Sequence, residues 1–174
     1  MEKILLENES IRLSMSTDMN KFEDAVKKME NSEGDILALS GATEEQIVLV
    51  ENELKTLFPP SYKAFLKKYG CLSFEAEEFY GVTPDGIHAN AIPSVFFATR
   101  SARNKGDVSD KMILIKTTGY GLNFCIDMNE ADDQGEAPVY EVPLSFKRDG
   151  QRNKVADNFA DFFYNEIALA LEDL

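Results

Sequence analysis

A chain of 174 residues with 44% apolar and 28% charged side chains is long enough to bury one substantial core and too apolar to be generally disordered. Its 31 acidic residues outnumber 18 basic ones for a formal charge of −13, a field that repels phosphate backbones and anionic membrane surfaces and attracts cationic partners. Direct nucleic-acid binding and membrane association are therefore not expected, no run approaches the roughly 20 apolar residues of a membrane span, and Cys71 and Cys125 suit free thiols in a reducing compartment.

The N-terminus offers only Ile4 to Leu6 as an apolar run before Glu7, too short for a secretory signal core, so cytoplasmic residence is expected. Ile11, Leu13 and Met15 alternate with Arg12 and Ser14 as in a short half-buried strand, and residues 1–16 read as an added edge or a tail preceding one domain at 17–174. From Asp18 onward Met19, Phe22, Val26 and Met29 mark a helix that stops before Asn31-Ser32-Glu33-Gly34. Thr43 and Gln46 have the spacing of a capping box, and Ile47, Val50, Leu54 and Leu57 form one apolar stripe behind it. Pro59 and Pro60 end that run, and Pro60 can open a second helix carrying Tyr62, Phe65, Leu66 and Tyr69, closed by Gly70.

After Gly70 the texture changes to aromatic and β-branched residues broken by Gly and Pro, which predicts short strands. Thr83-Pro84-Asp85-Gly86 is a turn signal, and the stretch from Pro93 to Thr99 suits either a helix capped by Ser94 or a strand. Met112 to Ile115, Asn123 to Asp127 and Val139 to Val142 are predicted strands, with Gly119 to Leu122 as a hairpin turn between the first two. A last helix starts near Asp157, with Phe159, Phe162, Phe163, Ile167, Ala170 and Leu171 on one face. Helices, then mostly antiparallel strands, then a helix define an α+β fold in a single domain.

Catalytic and metal-binding chemistry finds little footing. His88 is the only histidine and sits in turn-like surroundings, which removes a histidine-rich zinc site. Cys125 lies between Phe124 and Ile126 as a core thiol would, and Gly119-Tyr120-Gly121 lacks the further glycine and lysine of a phosphate loop. Counted from Asp127, a calcium loop of EF-hand type would need a ligand at Ala131, a glycine at Asp132 and a bidentate glutamate at Pro138, and fails at all three. The acids themselves form a pattern. Asp127, Glu130, Asp132, Asp133 and Glu136 crowd one predicted hairpin loop, and Glu75, Glu77 and Glu78 form a second group. These eight are the expected contact surface for a basic partner, because acids on a short loop held between strands keep their charge concentrated.

The Glu-rich helix, the hinge of Leu57, Pro59 and Pro60, and then Tyr62, Phe65, Leu66 and Gly70 resemble the amino-terminal signature of the SUKH superfamily. Phe79-Tyr80-Gly81, Met112 to Ile115, Tyr120-Gly121, Phe124 to Asp127 and Pro138-Val139-Tyr140 follow in that family's order. Val155 to Phe159 with Phe162 to Asn165 is similar to the closing helix of its YobK-type antitoxin branch. The resemblance favours the helix over the strand after Pro93. It also implies a function: a non-enzymatic immunity protein that binds and occludes the toxin domain, commonly a nuclease, of a polymorphic toxin, without cofactor or metal. The alternative it implies is an intracellular regulatory module like the family's fungal cell-wall-synthesis members. The sequence leaves the oligomeric state open.

Overall fold

A computed structural model describes residues 2–174. The first helix, α1 (Glu2–Glu30), is longer than expected and runs through the predicted strand at residues 11–15 without a break. Once the packed half of a helix is formed, each further residue adds a hydrogen bond without a new nucleation penalty, so the segment before Asp18 extends the same rod. Met19, Phe22, Ala25, Val26 and Met29 hold that rod to the body, whereas Ile4, Leu5, Leu6 and Leu13 remain exposed.

A three-residue strand, β1 (Ile36–Ala38), leads into α2 (Glu44–Leu54) and α3 (Pro60–Tyr69). The capping box forms as expected: the Gln46 N–H donates to Thr43 Oγ1 at 3.2 Å and the Thr43 N–H donates to Gln46 Oε1 at 2.9 Å. Ile47, Val50 and Leu54 are buried, but the helix closes on Lys55 in the left-handed region at φ 51°, so Leu57 falls beyond it and is 70% exposed. Glu51 is buried at the end of α2. Its carboxylate accepts the Phe58 N–H at 2.7 Å and pairs with Lys63 at 3.0 Å, which fixes the proline hinge from both sides.

Two antiparallel sheets follow. The first joins β1 to β2 (Leu72–Phe74) and β3 (Glu77–Phe79), in that order. The second orders β4 (Met112–Thr117), β5 (Asn123–Asp127), β6 (Val139–Val142) and β7 (Asn153–Ala156). The Tyr80 N–H donates to the Ile115 carbonyl at 2.8 Å and seats the end of the first sheet beside the second. Gly81 is required at this junction, because a Cβ there would lie 1.7 Å from the Gly70 carbonyl oxygen. The stretch after Pro93 is helix, α4 (Val95–Lys105), capped by Ser94 Oγ accepting the Phe97 N–H at 3.2 Å. A short helix, α5 (Phe146–Asp149), precedes β7, and the chain closes on α6 (Phe159–Glu172). Its cap is Asn158 rather than Asp157, with Asn158 Oδ1 accepting the Asp161 N–H at 2.8 Å. The segment Val155-Ala156, grouped with the closing helix by resemblance, is the end of β7.

The core is aromatic and centres on Phe65. Its ring centroid lies 5.3 to 6.2 Å from those of Tyr62, Tyr69, Phe79, Phe159 and Phe163, so α3, α6 and the first sheet converge on one side chain. Rings at such spacings in tilted and edge-on arrangements add to their area burial. Helix α6 runs parallel to α1, with Asp18 beside Asn158, Lys21 beside Asp161 and Lys28 beside Tyr164.

Candidate functional site

Most of the candidate acids lie on the loop from β5 to β6, and each has a definite place there. Asp127 is fully buried. One of its oxygens accepts the Asn129 N–H at 3.1 Å and the other pairs with Arg152 from the approach to β7. The Arg152 guanidinium lies 4.1 Å from the Tyr140 ring centroid and 3.5 Å from Glu130, whose other oxygen accepts the Tyr140 hydroxyl at 2.5 Å. Asp132 Oδ1 accepts the backbone N–H groups of Gln134 and Glu136 at 2.9 and 3.0 Å, closing a turn within the loop. Asp133, at the exposed tip, has no hydrogen-bond or ion-pair partner among the described residues.

Glu136 is a correction to the expected surface. It is buried, and its carboxylate accepts the Ser61 N–H at 2.7 Å and the Ser61 hydroxyl at 2.8 Å. Pro59, the residue at the cap position of α3, provides no side-chain hydrogen bond, so the first turn of that helix is capped from 75 residues away. Asp127 needs the same correction, since a carboxylate sealed against Arg152 cannot meet a partner. Glu136 faces inward because a loop over a helix start must satisfy the backbone N–H groups it covers, and Asp127 because it is the carboxylate that neutralises Arg152.

The second group of acids does not join the first. Lys116, buried on β4, is held between Glu77 and Glu166. Along β4 it stands four residues, roughly 13 Å of strand, from Met112, the register partner of Asp127. Glu75, exposed and in the left-handed region at φ 52°, has its carboxylate accepting the Asp35 N–H at 2.5 Å, and only Glu78 of the three is exposed without a partner among the described residues.

Two acids outside the expected set complete the loop's surroundings. Asp18 on α1 comes close enough to Asp132 and Glu136 for their charges to act on one another, and Asp161 on α6, paired with Lys21 at 2.8 Å, acts on Asp18 as well. Burial, followed by the charges of Asp161 and Asp132, pushes the Asp18 carboxyl above its ordinary range, although Asn158 Nδ2 donates to it at 3.2 Å. Burial likewise raises Glu136, against the pull of the two Ser61 hydrogen bonds, with Asp18 and Asp132 adding to the rise. Asp18 gives no sign of this in the sequence, where it reads as a helix-start residue. Only the parallel packing of α1 on α6 carries it to the loop.

An acid raised by its folded surroundings ionises later in the folded chain than in the unfolded one. Its penalty is therefore absent at low pH, grows as pH rises through the ordinary carboxylate range, and is complete above the raised value. Asp18→Asn, which keeps an oxygen for Asn158, should raise the thermal midpoint at pH 7. Below about pH 3, where both states of the parent are protonated, the two proteins should melt together. Melting curves across that interval check it.

The remaining reactive groups are two buried thiols and one exposed imidazole. Burial pushes the Cys71 thiol up to about 11 and raises Cys125 further, the reverse of what a thiolate nucleophile needs. His88 is exposed in a short 3-10 turn at Gly86–His88.

The chain is an acidic α+β scaffold of two antiparallel sheets, with a helix pair and a closing helix converging on one aromatic core. Residues 44–163, more than half of the chain, match the family model SUKH_6, described as SMI1-KNR4 cell-wall. The chain belongs to this family, within the SUKH superfamily.

Proposed function

We propose that the protein is an immunity protein that binds and occludes the toxin domain of a polymorphic toxin, a basic nuclease-type domain, in the cytoplasm and without cofactor. The observation that carries this reading is the meeting of Asp18 with Asp132 beside a loop whose tip exposes Asp133, on a chain of net charge −13. Like charges held together by a folded scaffold repel, and a cationic partner removes that repulsion while steering itself to the site. Glu136 and Asp127 fit the reading as supports: they clamp the loop to α3 and β7, so that the exposed acids are presented with little conformational freedom. A second reading, a regulatory module with a partner other than a toxin, is favoured by the cell-wall description of the matching family.

Co-expression separates the two. A basic toxin domain encoded beside this gene should arrest growth alone, be neutralised by this chain, and co-purify with it in equal amounts. A toxic neighbour that is neither bound nor neutralised would remove the immunity reading.

A further inference from the structure

The first sheet has a bare edge. Strand β1 is its outermost strand, and all three of its residues are exposed, Leu37 by 73%. The Glu75 N–H donates to the Asp35 carbonyl at 3.1 Å and the Leu39 N–H donates to the Cys71 carbonyl at 3.2 Å. Residues 35, 37 and 39 therefore turn their backbone groups toward β2, and the antiparallel alternation turns those of Ile36 and Ala38 outward. An edge of this kind is a template for another strand, and proteins normally blunt it with charge, proline or a covering element. The opposite edge of the structure is blunted: β7 exposes Asn153 and Lys154, the latter paired with Asp157 at 2.6 Å. Strand β1 reads Ile36-Leu37-Ala38, with no charge along it.

Beside this edge lies a groove of about 380 Å³, mostly apolar, lined by Leu37, Leu39, Cys71, Leu72 and Pro93 with Ser73 and Glu78 among them. Leu37 pairs with Ser73, and Ser73 with Glu78, so the groove floor is one face of the sheet. Asp35 stands two residues before Leu37, on the same face by strand alternation, with Glu75 hydrogen-bonded to it.

We propose that β1 takes up an extended segment of a partner protein by strand addition, the segment carrying a basic residue two positions from an apolar one. The apolar side chain lies over Leu37 and Leu39, the basic one meets Asp35, and the backbone completes hydrogen bonds with Ile36 and Ala38. Charge decides against a second copy of this chain as the occupant. Two chains each of −13 repel as they approach edge to edge, whereas a basic strand is drawn to Asp35 and Glu75 beside β1. The inference does not depend on the immunity reading, since the edge would accept such a strand from a toxin or from any other protein.

The probe is a fluorescent, cyclised hairpin peptide whose free strand alternates lysine, threonine and valine, so that its strand is already ordered before binding. Its control carries glutamate in place of lysine. Two variants disable the edge without touching the core. Ala38→Pro removes an outward N–H, the position at which edge strands tolerate proline, and Leu37→Asp alters an exposed side chain. Binding of the lysine hairpin by anisotropy, slowed exchange of the Ile36 and Ala38 amides, and an affinity loss of about tenfold or more in each folded variant are the expected results. The proposal is overturned by failure to bind at roughly 1 mM, by equal binding of the glutamate hairpin, or by variants that bind like the parent. Dimerisation of the parent that Leu37→Asp abolishes would assign the edge to a second copy and overturn it too.

Discussion

Phe65→Asp should leave no folded protein. Phe65 is fully buried, and five aromatic rings from α3, α6 and β3 surround it. Truncating a phenylalanine in such a place costs about 3–5 kcal/mol through lost transfer energy and the void left behind. Aspartate adds an unpaired carboxylate to that void, at a further cost of several kcal/mol, and the two together approach the ~5–15 kcal/mol that hold a domain of this kind folded. The near-ultraviolet circular dichroism should disappear and no cooperative melting transition should remain. Phe65→Leu, which fills part of the space with apolar atoms, should melt cooperatively at a lower temperature. A Phe65→Asp variant that melts like the parent would show that the helix pair does not pack on α6.

Lys116→Ala should be the next most damaging change. Lys116 is 6% exposed, its ammonium sits between Glu77 and Glu166, and the Phe79 and Phe124 ring centroids lie 5.7 and 5.5 Å away. Removing it leaves two carboxylates facing one another in a partly dry site, where breaking a buried ion pair costs about 3–5 kcal/mol. Replacing the whole triad, by Lys116→Met with Glu77→Gln and Glu166→Gln, should restore most of that loss, because no charge is then left unpaired. Denaturant unfolding of the single and triple variants gives both values. A single variant within about 1 kcal/mol of the parent, the scale of an exposed pair, would mean that water reaches this triad freely.

These two sites mark the boundary between what was legible in the sequence and what was not. Contacts within one turn of helix were readable at Thr43 with Gln46, because the physics of a helix start is local, whereas the residues after Pro93 suited a strand equally and only the family resemblance favoured the helix that Ser94 caps. The stripes of α3 and α6 were readable too, since only one face of each could be apolar. The alternation of Ile11, Leu13 and Met15 misled because positions four apart satisfy a strand period of two and a helical period alike. Leu57 was misplaced by extending a stripe past a helix end that the chain marks only with Lys55 in a left-handed conformation. The acids divided for the same reason. Local density announced the loop, but the roles of Asp127, Glu136 and Glu77 depend on Arg152, Ser61 and Lys116, which packing alone brings to them. Asp18 and Asp161, absent from any local cluster, enter through the pairing of α1 with α6.

The exposed loop acids are therefore a smaller set than the sequence suggested, and Asp133 at the tip is the cleanest of them to test. Asp132 is best changed to asparagine, which keeps an oxygen for the Gln134 and Glu136 N–H groups. The decisive measurement is stopped-flow association of the proposed partner, a basic toxin domain, with the parent and with Asp132→Asn/Asp133→Asn, across a series of salt concentrations. Electrostatic steering by this surface predicts that the double variant associates roughly tenfold more slowly at low salt, that the difference shrinks as added salt shortens the screening length to about 8 Å near physiological ionic strength, and that the thermal midpoint does not fall. Association and dissociation rates indistinguishable from the parent at every salt concentration would contradict the assignment and place the partner elsewhere on the molecule.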